Sequence, residues 1–316
     1  DTRGEKEKFM GSSTDLHMHT VASDGTDYPE SFLQKIKDAG IRTFSVTDHD
    51  TIDGALQVRD LAPEKSGITF FMGIEFTCRT SIGEVHLLGY GFDPENRIFQ
   101  AALEKGKRLR REKLEKRLHY LKEQGIRITD TEIDAFYRMK SCGKPHLATM
   151  LVQKGYAKNM NDAIRLYLNP CDTSDLKITS AEAIGAINES GGIPVWAHPL
   201  GEGFHRRRNG ERFQTMEQCY AQLQELLRQG IRGMECYYSQ YGSAQIQNLL
   251  QAAEGYHLLV SGGSDYHGEN RDVVPGTLNA AGKPVDDDCL TVLRELKERQ
   301  SSGTAAEEDE READEL

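Results

Sequence analysis

The chain has 316 residues, a mass of 35.4 kDa, 37% hydrophobic residues and a mean hydropathy of −0.60. That suits one large α/β domain or one domain with an insert, and no apolar run approaches the ~20 residues needed to span a bilayer. Net charge is −11, but the stretch SSGTAAEEDEREADEL (301–316) carries seven acids and one arginine, so the acidity reads mainly as a disordered, solvated tail and nothing global favours nucleic acid.

The opening DTRGEKEKFMG has no apolar h-region and does not read as a signal peptide. Six scattered cysteines without a C-x-x-C pair read as buried, reduced thiols of a cytoplasmic protein. DLHMHT then reads as a short strand. Side chains two apart on a strand point the same way, so His17 and His19 share one face. YPESFLQKIKDAG reads as a helix with Pro29 in its first turn and Gly40 as its C-terminal cap. IRTFSVT is a buried strand that leads into Asp48-His49. TIDGALQVRDLAPEKSG follows as a helix, and ITFFMGIEFTC and EVHLLGYGF as strands.

The middle, 99–178, is long, charged and helical, and reads as an inserted helical subdomain between barrel segments 13–98 and 179–300. Within it, EKGKRLRREKLEKR (104–117) carries eight basic residues against three acids. That is either a solvated helix face or a local anion-binding wall. Alternation then resumes with SAEAIGAINESGG (helix), IPVWAH (strand), MEQCYAQLQELLRQG (helix), IRGMECYY (strand), SAQIQNLLQAAEG (helix), YHLLVSGGSDYHG (strand and turn) and CLTVLRELKERQ (helix). This βαβα pattern predicts a parallel sheet with covering helices, open or closed into a barrel.

Six of the ten histidines lie in, or just after, a strand: His17, His19, His49, His86, His198 and His267. Asp24, Glu75 and Asp265 share such places. In parallel α/β folds, sites form at the carboxyl ends of the strands. Nine convergent donors without a cation would be costly to desolvate, so they predict metal binding. A histidine and carboxylate set with no thiolate favours Zn, Mn or Fe. Nine donors suit two or three ions with a bridging carboxylate. No G-x-S-x-G, Cys-His or Walker signature competes with this reading.

In this order, DLHMHTVASDGT, VTDHDT, GIE, VHLLGY, AHP and GSDYH resemble the motifs of the PHP (polymerase and histidinol phosphatase) family over about 13–300. The insert GKPHLATMLVQKGYAKNMNDAIRLYL is similar to that of stand-alone bacterial members acting on nucleoside 3′,5′-bisphosphates, short RNA ends or cyclic ribose phosphates. The resemblance implies an α/β fold, a distorted (β/α)7 barrel, and a trinuclear metal centre. One ion would take His17, His19, Glu75 and Asp265. A second would take Asp24, His49 and His267, and a third His86 and His198 with Glu75 bridging. Gly25, in the turn SDG, would take a positive φ so that the loop carrying Asp24 folds back.

The implied activity is hydrolysis of phosphate esters of a small phosphorylated ribose or nucleotide by a metal-bridging hydroxide. Glu75, Asp265 and His198 would be central to it. Lys144, His146, Arg110 and Arg206 would bind substrate, with no membrane and no obligate protein partner. Where nucleotide-acting relatives often read AHPGRY, this chain reads AHPLGEGFHRRRNGERF, with Arg206, Arg207, Arg208 and Arg212 in a longer loop. The competing readings are a histidinol-phosphate phosphatase, whose known forms lack such an insert, and a non-catalytic PHP module, against which the nine filled ligand positions argue.

Overall fold

The computed structural model describes residues 11–61, 67–202 and 213–301. A ring of seven strands runs β1 (Thr14–Asp15), β2 (Thr43–Val46), β3 (Thr69–Arg79), β4 (Glu84–Tyr90), β6 (Ile193–Trp196), β7 (Gly233–Tyr238) and β8 (Leu259–Gly263); β5 (Ile178–Thr179) pairs with β3 off the ring. The edges nearly close. Leu16 N donates to Gly262 O at 3.2 Å, Asp265 N to His17 O at 2.8 Å and His19 N to Tyr266 O at 2.9 Å. Closure removes the exposed edges that an open sheet would present.

The helices are α1 (Pro29–Asp38), α2 (Asp53–Leu61), α3 (Arg97–Glu123), α4 (Asp130–Arg138), α5 (Lys144–Gln153), α6 (Met160–Ala163), α7 (Ser180–Glu189), α8 (Met216–Gln229) and α9 (Ser243–Gly255), with α10 over 291–301. A π-helical turn, Ile164–Leu168, continues α6. Pro29 opens α1 as expected. No described helix is long and apolar enough to cross a membrane. Arg206 and the rest of that arginine-rich loop, like the acidic tail from 302, lie outside the described residues.

The sheet departs from the all-parallel expectation at β4, which pairs antiparallel with both β3 and β6. The short connection Thr80–Gly83 explains this, since Thr80 N donates to Gly83 O at 2.8 Å. So short a link admits only a hairpin; a parallel crossover needs a dozen residues or more. The inversion also positions His86. The parallel strands bring their carboxyl ends to the site rim, whereas β4 brings its amino end, so His86 sits near the start of its strand, opposite Thr77.

Helix α3 links two hydrophobic cores. Asn96 caps it, its side chain accepting from Ile98 N and Phe99 N. Phe99, Ala102 and Leu103 pack into the barrel cluster with Ile74, Phe76 and Trp196. Leu114, Leu118 and Leu121 belong to a separate cluster with Phe136, Leu147, Leu151 and Leu168. Arg110 and Lys113 lie between these apolar stretches and Arg117 within the second, at spacings of three and four, hence on one helix face.

Candidate metal centre and substrate cleft

His17 and His19 lie just beyond β1, both fully buried, with ring centroids 5.2 Å apart. The two-residue periodicity therefore holds past the last strand residue. Gly263 makes room for His17, because a Cβ there would lie 2.2 Å from His17 Cβ. Gly25 does not adopt a positive φ. It is needed for close approach instead, since a Cβ would lie 2.5 Å from His19 O. Asp48 pins the same loop, accepting from Thr20 N at 2.8 Å, Thr20 Oγ1 at 2.7 Å and Ser23 Oγ at 2.5 Å.

Glu75 lies at the centre. Its Oε1 is 3.0 Å from His86 Nδ1 and 3.2 Å from His198 Nε2. Its Oε2 is 3.4, 3.3 and 3.1 Å from His17 Nε2, His19 Nε2 and His49 Nδ1. Asp265 Oδ1 lies 3.4 Å from His17 Nε2 and 3.2 Å from His19 Nε2. Asp24 Oδ1 is 3.2 Å from His267 Nε2, and its Oδ2 is 3.9 Å from His49 Nε2. The fold thus brings all nine sequence-selected donors together.

The fit of these residues to cations rests on buried atoms without hydrogen-bond partners. His17 Nε2, His19 Nε2, His267 Nε2, Asp24 Oδ1 and Glu75 Oε2 are all buried and have none. Such atoms normally find one, or a bound ion. Sets drawn from the cluster hold their donor atoms within 4.8 Å of one another. The chemistry of the cluster supports divalent metal binding.

Electrostatics agree. Burial opposes ionisation of Glu75, yet His49, His17 and His86 hold its carboxyl well below the usual range. Burial likewise opposes a charged His19 ring, but Asp265 and Glu75 raise it to about 9. Burial lowers His49 well below the usual imidazole value, and lowers His267. Rings and carboxylates compensate one another, and a cation would replace the protons. Among the described residues, four other than glycine have a positive φ, and two of these, His198 (29°) and Asp265 (57°), carry donors. A third, Asp50 (53°), follows His49. Strain of this kind concentrates at functional sites.

Sequence reasoning missed the groups that support the donors. Glu235, fully buried in β7, lies 2.9 Å from His17 Nδ1 and accepts from His198 N at 2.8 Å. A lone carboxylate inside the apolar run GMECYY was the available signal, because a buried acid requires partners. Tyr238 Oη donates to Asp265 Oδ2 at 2.8 Å. Arg271 pairs with Asp265, and its Nη2 lies 3.4 Å from Glu202 Oε2. Nothing local in GENRDV marks Arg271. Its relation to Asp265 exists only once β8 and the following turn are folded.

A cleft of about 990 Å³ opens over the cluster. Asp24, His49, His86, Glu202 and Arg271 line it together with Glu84 and the cations Arg110, Lys113, Arg117, Lys144, Arg165 and Lys177. Arg110 Nε lies 2.9 Å from Asp50 Oδ2, so this cation is already paired. Lys144 Nζ donates to Asn169 Oδ1 at 2.8 Å. Lys113 is only 6% exposed, and burial, then Arg110, lowers its ammonium to about 7. Arg117 Nη2 donates to Thr173 Oγ1 at 3.3 Å, while its Nε is buried without a partner. The basic run therefore turns one face into the cleft. Lys107 faces away, near Glu104 and Asp53. His146 Nδ1 accepts from Gly143 N at 3.0 Å at the start of α5. Ser141 Oγ donates to His49 O at 2.6 Å, tying the helical segment to the rim.

A family model described as PHP domain matches residues 15–281. A 5′-3′ exoribonuclease of Haemophilus influenzae is 27% identical, over 85% of this chain and 98% of its own. A phosphoribosyl 1,2-cyclic phosphate 1,2-diphosphodiesterase of Eggerthella lenta is 29% identical, over 81% and 94%. A 3′,5′-nucleoside bisphosphate phosphatase of Chromobacterium violaceum is 27% identical, over 91% and 98%. The crystal structure of a protein described as a metal-dependent phosphoesterase from Bifidobacterium adolescentis superposes with a TM-score of 0.72 at 27% identity, over 90% of this chain and 94% of that one.

Proposed function

The chain belongs to the PHP domain family, and from that premise we propose that this metal-dependent phosphoesterase hydrolyses a small ribose or nucleotide ester carrying a second phosphate. The observation that carries the reading is the cleft itself, whose lining joins cation-seeking donors to the buried cations Lys113 and Arg117. A substrate spanning it would need a reacting phosphate and a remote anion.

His17, His19, Glu75 and Asp265 would hold one divalent ion, Asp24, His49 and His267 a second, and His86 and His198 a third, with Glu75 shared. The two Glu75 oxygens face different histidines, which supports a bridging role. Bound cations at such a cluster supply Lewis acidity, lowering the pKa of water and neutralising phosphoryl charge. The chain's own residues orient that centre. Glu235 fixes the His17 ring through Nδ1, and Tyr238 and Arg271 fix the Asp265 carboxylate. Such partners set ring tautomer and ligand basicity.

The helices from α3 to α6 would cap the barrel. Lys144, Lys113 and Arg117 would bind the remote phosphate, and Arg110 would hold Asp50 beside His49 while facing the same cleft. A phosphate would satisfy Arg117 Nε and favour a charged Lys113. His146 would act indirectly, by setting the start of α5 next to Lys144. All six cysteines are unpaired, which supports a reducing, cytoplasmic setting.

A phosphate-release screen tests this. Nucleoside 3′,5′-bisphosphates, cyclic ribose phosphates, 5′-phosphorylated short RNA, histidinol phosphate and p-nitrophenyl phosphate would be compared with added Mn²⁺ or Zn²⁺. A substrate with a second phosphate should give the highest kcat/KM. Equal turnover of all compounds, or a preference for histidinol phosphate, would refute the two-ended reading.

A further inference from the structure

Glu202 is the carboxylate that the metal-ligand pattern does not include and the fold nevertheless brings to the cluster. It lies four residues beyond His198, at the point where the chain departs from the AHPGRY pattern. Its Oε1 is 3.9 Å from His86 Nδ1 and 4.0 Å from His198 Nε2. Those same two nitrogens lie 3.0 and 3.2 Å from Glu75 Oε1. Two carboxylate oxygens thus flank one pair of imidazole nitrogens. In a tetrahedral site with metal–ligand bonds of about 2.0–2.2 Å, neighbouring donors stand about 3.3–3.5 Å apart. The four distances bracket that edge length.

The backbone that presents Glu202 is firmly held. Gly201 N donates to His198 O at 2.7 Å, closing a tight turn. Tyr241 Oη accepts from Leu200 N at 2.9 Å and donates to Gly201 O at 3.1 Å. Gln214 N donates to Leu200 O at 2.7 Å. The second carboxylate oxygen, Oε2, lies 3.4 Å from Arg271 Nη2. The two oxygens therefore have separate surroundings, Arg271 on one side and the His86–His198 pair on the other.

We propose that Glu202 is a fourth protein ligand of the cation held by Glu75, His86 and His198. The inference rests on the metal-dependent reading above and deepens it. An ion with three protein ligands keeps an open position for water or substrate, whereas a fourth carboxylate closes a tetrahedral shell. This ion would then be held as a fixed charge, as would the ion of His17, His19, Glu75 and Asp265, and the open position would remain at the ion of Asp24, His49 and His267. Arg271, bridging Glu202 and Asp265, would orient the carboxylate from behind.

The test is metal stoichiometry and affinity of the full chain, reconstituted with Zn²⁺ or Mn²⁺ and titrated against a competing chelator. Wild type, Glu202→Gln and Arg271→Gln would be compared, with circular dichroism confirming the fold. Loss of a group that merely orients a ligand costs about 10–100-fold in metal affinity, so Glu202→Gln should weaken one equivalent by about 100-fold or more and leave the others unchanged. Arg271→Gln removes a group that only orients Glu202 and Asp265 and should weaken binding less, by about 10–100-fold. Wild-type affinity at every equivalent in folded Glu202→Gln would overturn the proposal. Equal weakening in both variants would also overturn it, because Glu202 would then serve only as the partner of Arg271. A wild-type chain that binds no ion refutes the metal-dependent reading itself, and with it this inference.

Discussion

The two ends of the cleft handle charge in opposite ways. At the barrel rim, six histidines and three carboxylates lie within a few ångströms, and their charges compensate, with Glu75 at the centre of five imidazoles. What remains unsatisfied there is lone pairs and ring nitrogens. On the helical side, Lys113 and Arg117 are buried among too few acids, and burial pulls both below their usual pKa ranges, Lys113 to about 7 and Arg117 to about 10. One group of side chains is suited to cations and the other to an anion. Each is costly alone, and a phosphorylated substrate spanning both would relieve the second cost while ions relieve the first.

The sharpest way to break this comparison is at Glu75. Glu75→Gln should lose metal and lower kcat by about a thousandfold or more, since a catalytic cation supplies several kcal/mol and each 1.4 kcal/mol is about tenfold. Elemental analysis alongside phosphate-release kinetics would check it; near-normal kcat with full metal would remove Glu75 from the centre. At the other end the expected loss is smaller and selective. Lys144→Ala should lower kcat/KM for a two-phosphate substrate by about tenfold to a few hundredfold, as charge-assisted contacts contribute roughly 1.5–3 kcal/mol. It should barely affect p-nitrophenyl phosphate and leave metal content unchanged. Equal losses on both substrates would make Lys144 a general structural residue.

The mildest test is of stability. Lys113 is depressed to about 7 in the fold, against about 10.4 in an unfolded chain. Between those values the unfolded state binds the proton that the folded state lacks, so this group's contribution to stability rises with pH across that window. Lys113→Met should therefore stabilise the protein by about 1–4 kcal/mol near pH 7, an advantage that fades towards pH 10, while substrate affinity falls. Urea denaturation at several pH values would read this. A destabilised Lys113→Met would show that the buried ammonium already has adequate partners.

The donors and most of the succession of strands and helices along the chain were legible in the sequence because the relevant rules are local. Two-residue periodicity put His17 and His19 on one side, and placement in or just after a strand selected His49, His86, His198, His267, Asp24, Glu75 and Asp265. A family resemblance grouped the nine into ion sites. The direction of β4 was hidden in the shortness of a turn, and Gly25 was read for its φ when a close approach to His19 O is what requires it. Which face of the basic helix points inward was undecidable from charge alone. It depends on Phe99, Ala102 and Leu103 seating one part of α3 on the barrel and Leu114, Leu118 and Leu121 seating the other in a second core. Tyr238, Arg271 and Glu202, and the partners of Glu235, belong wholly to tertiary structure. Each acts on a residue from another part of the chain or across a folded turn, and a side chain's partner across a barrel is set by closure and register, which no local pattern encodes.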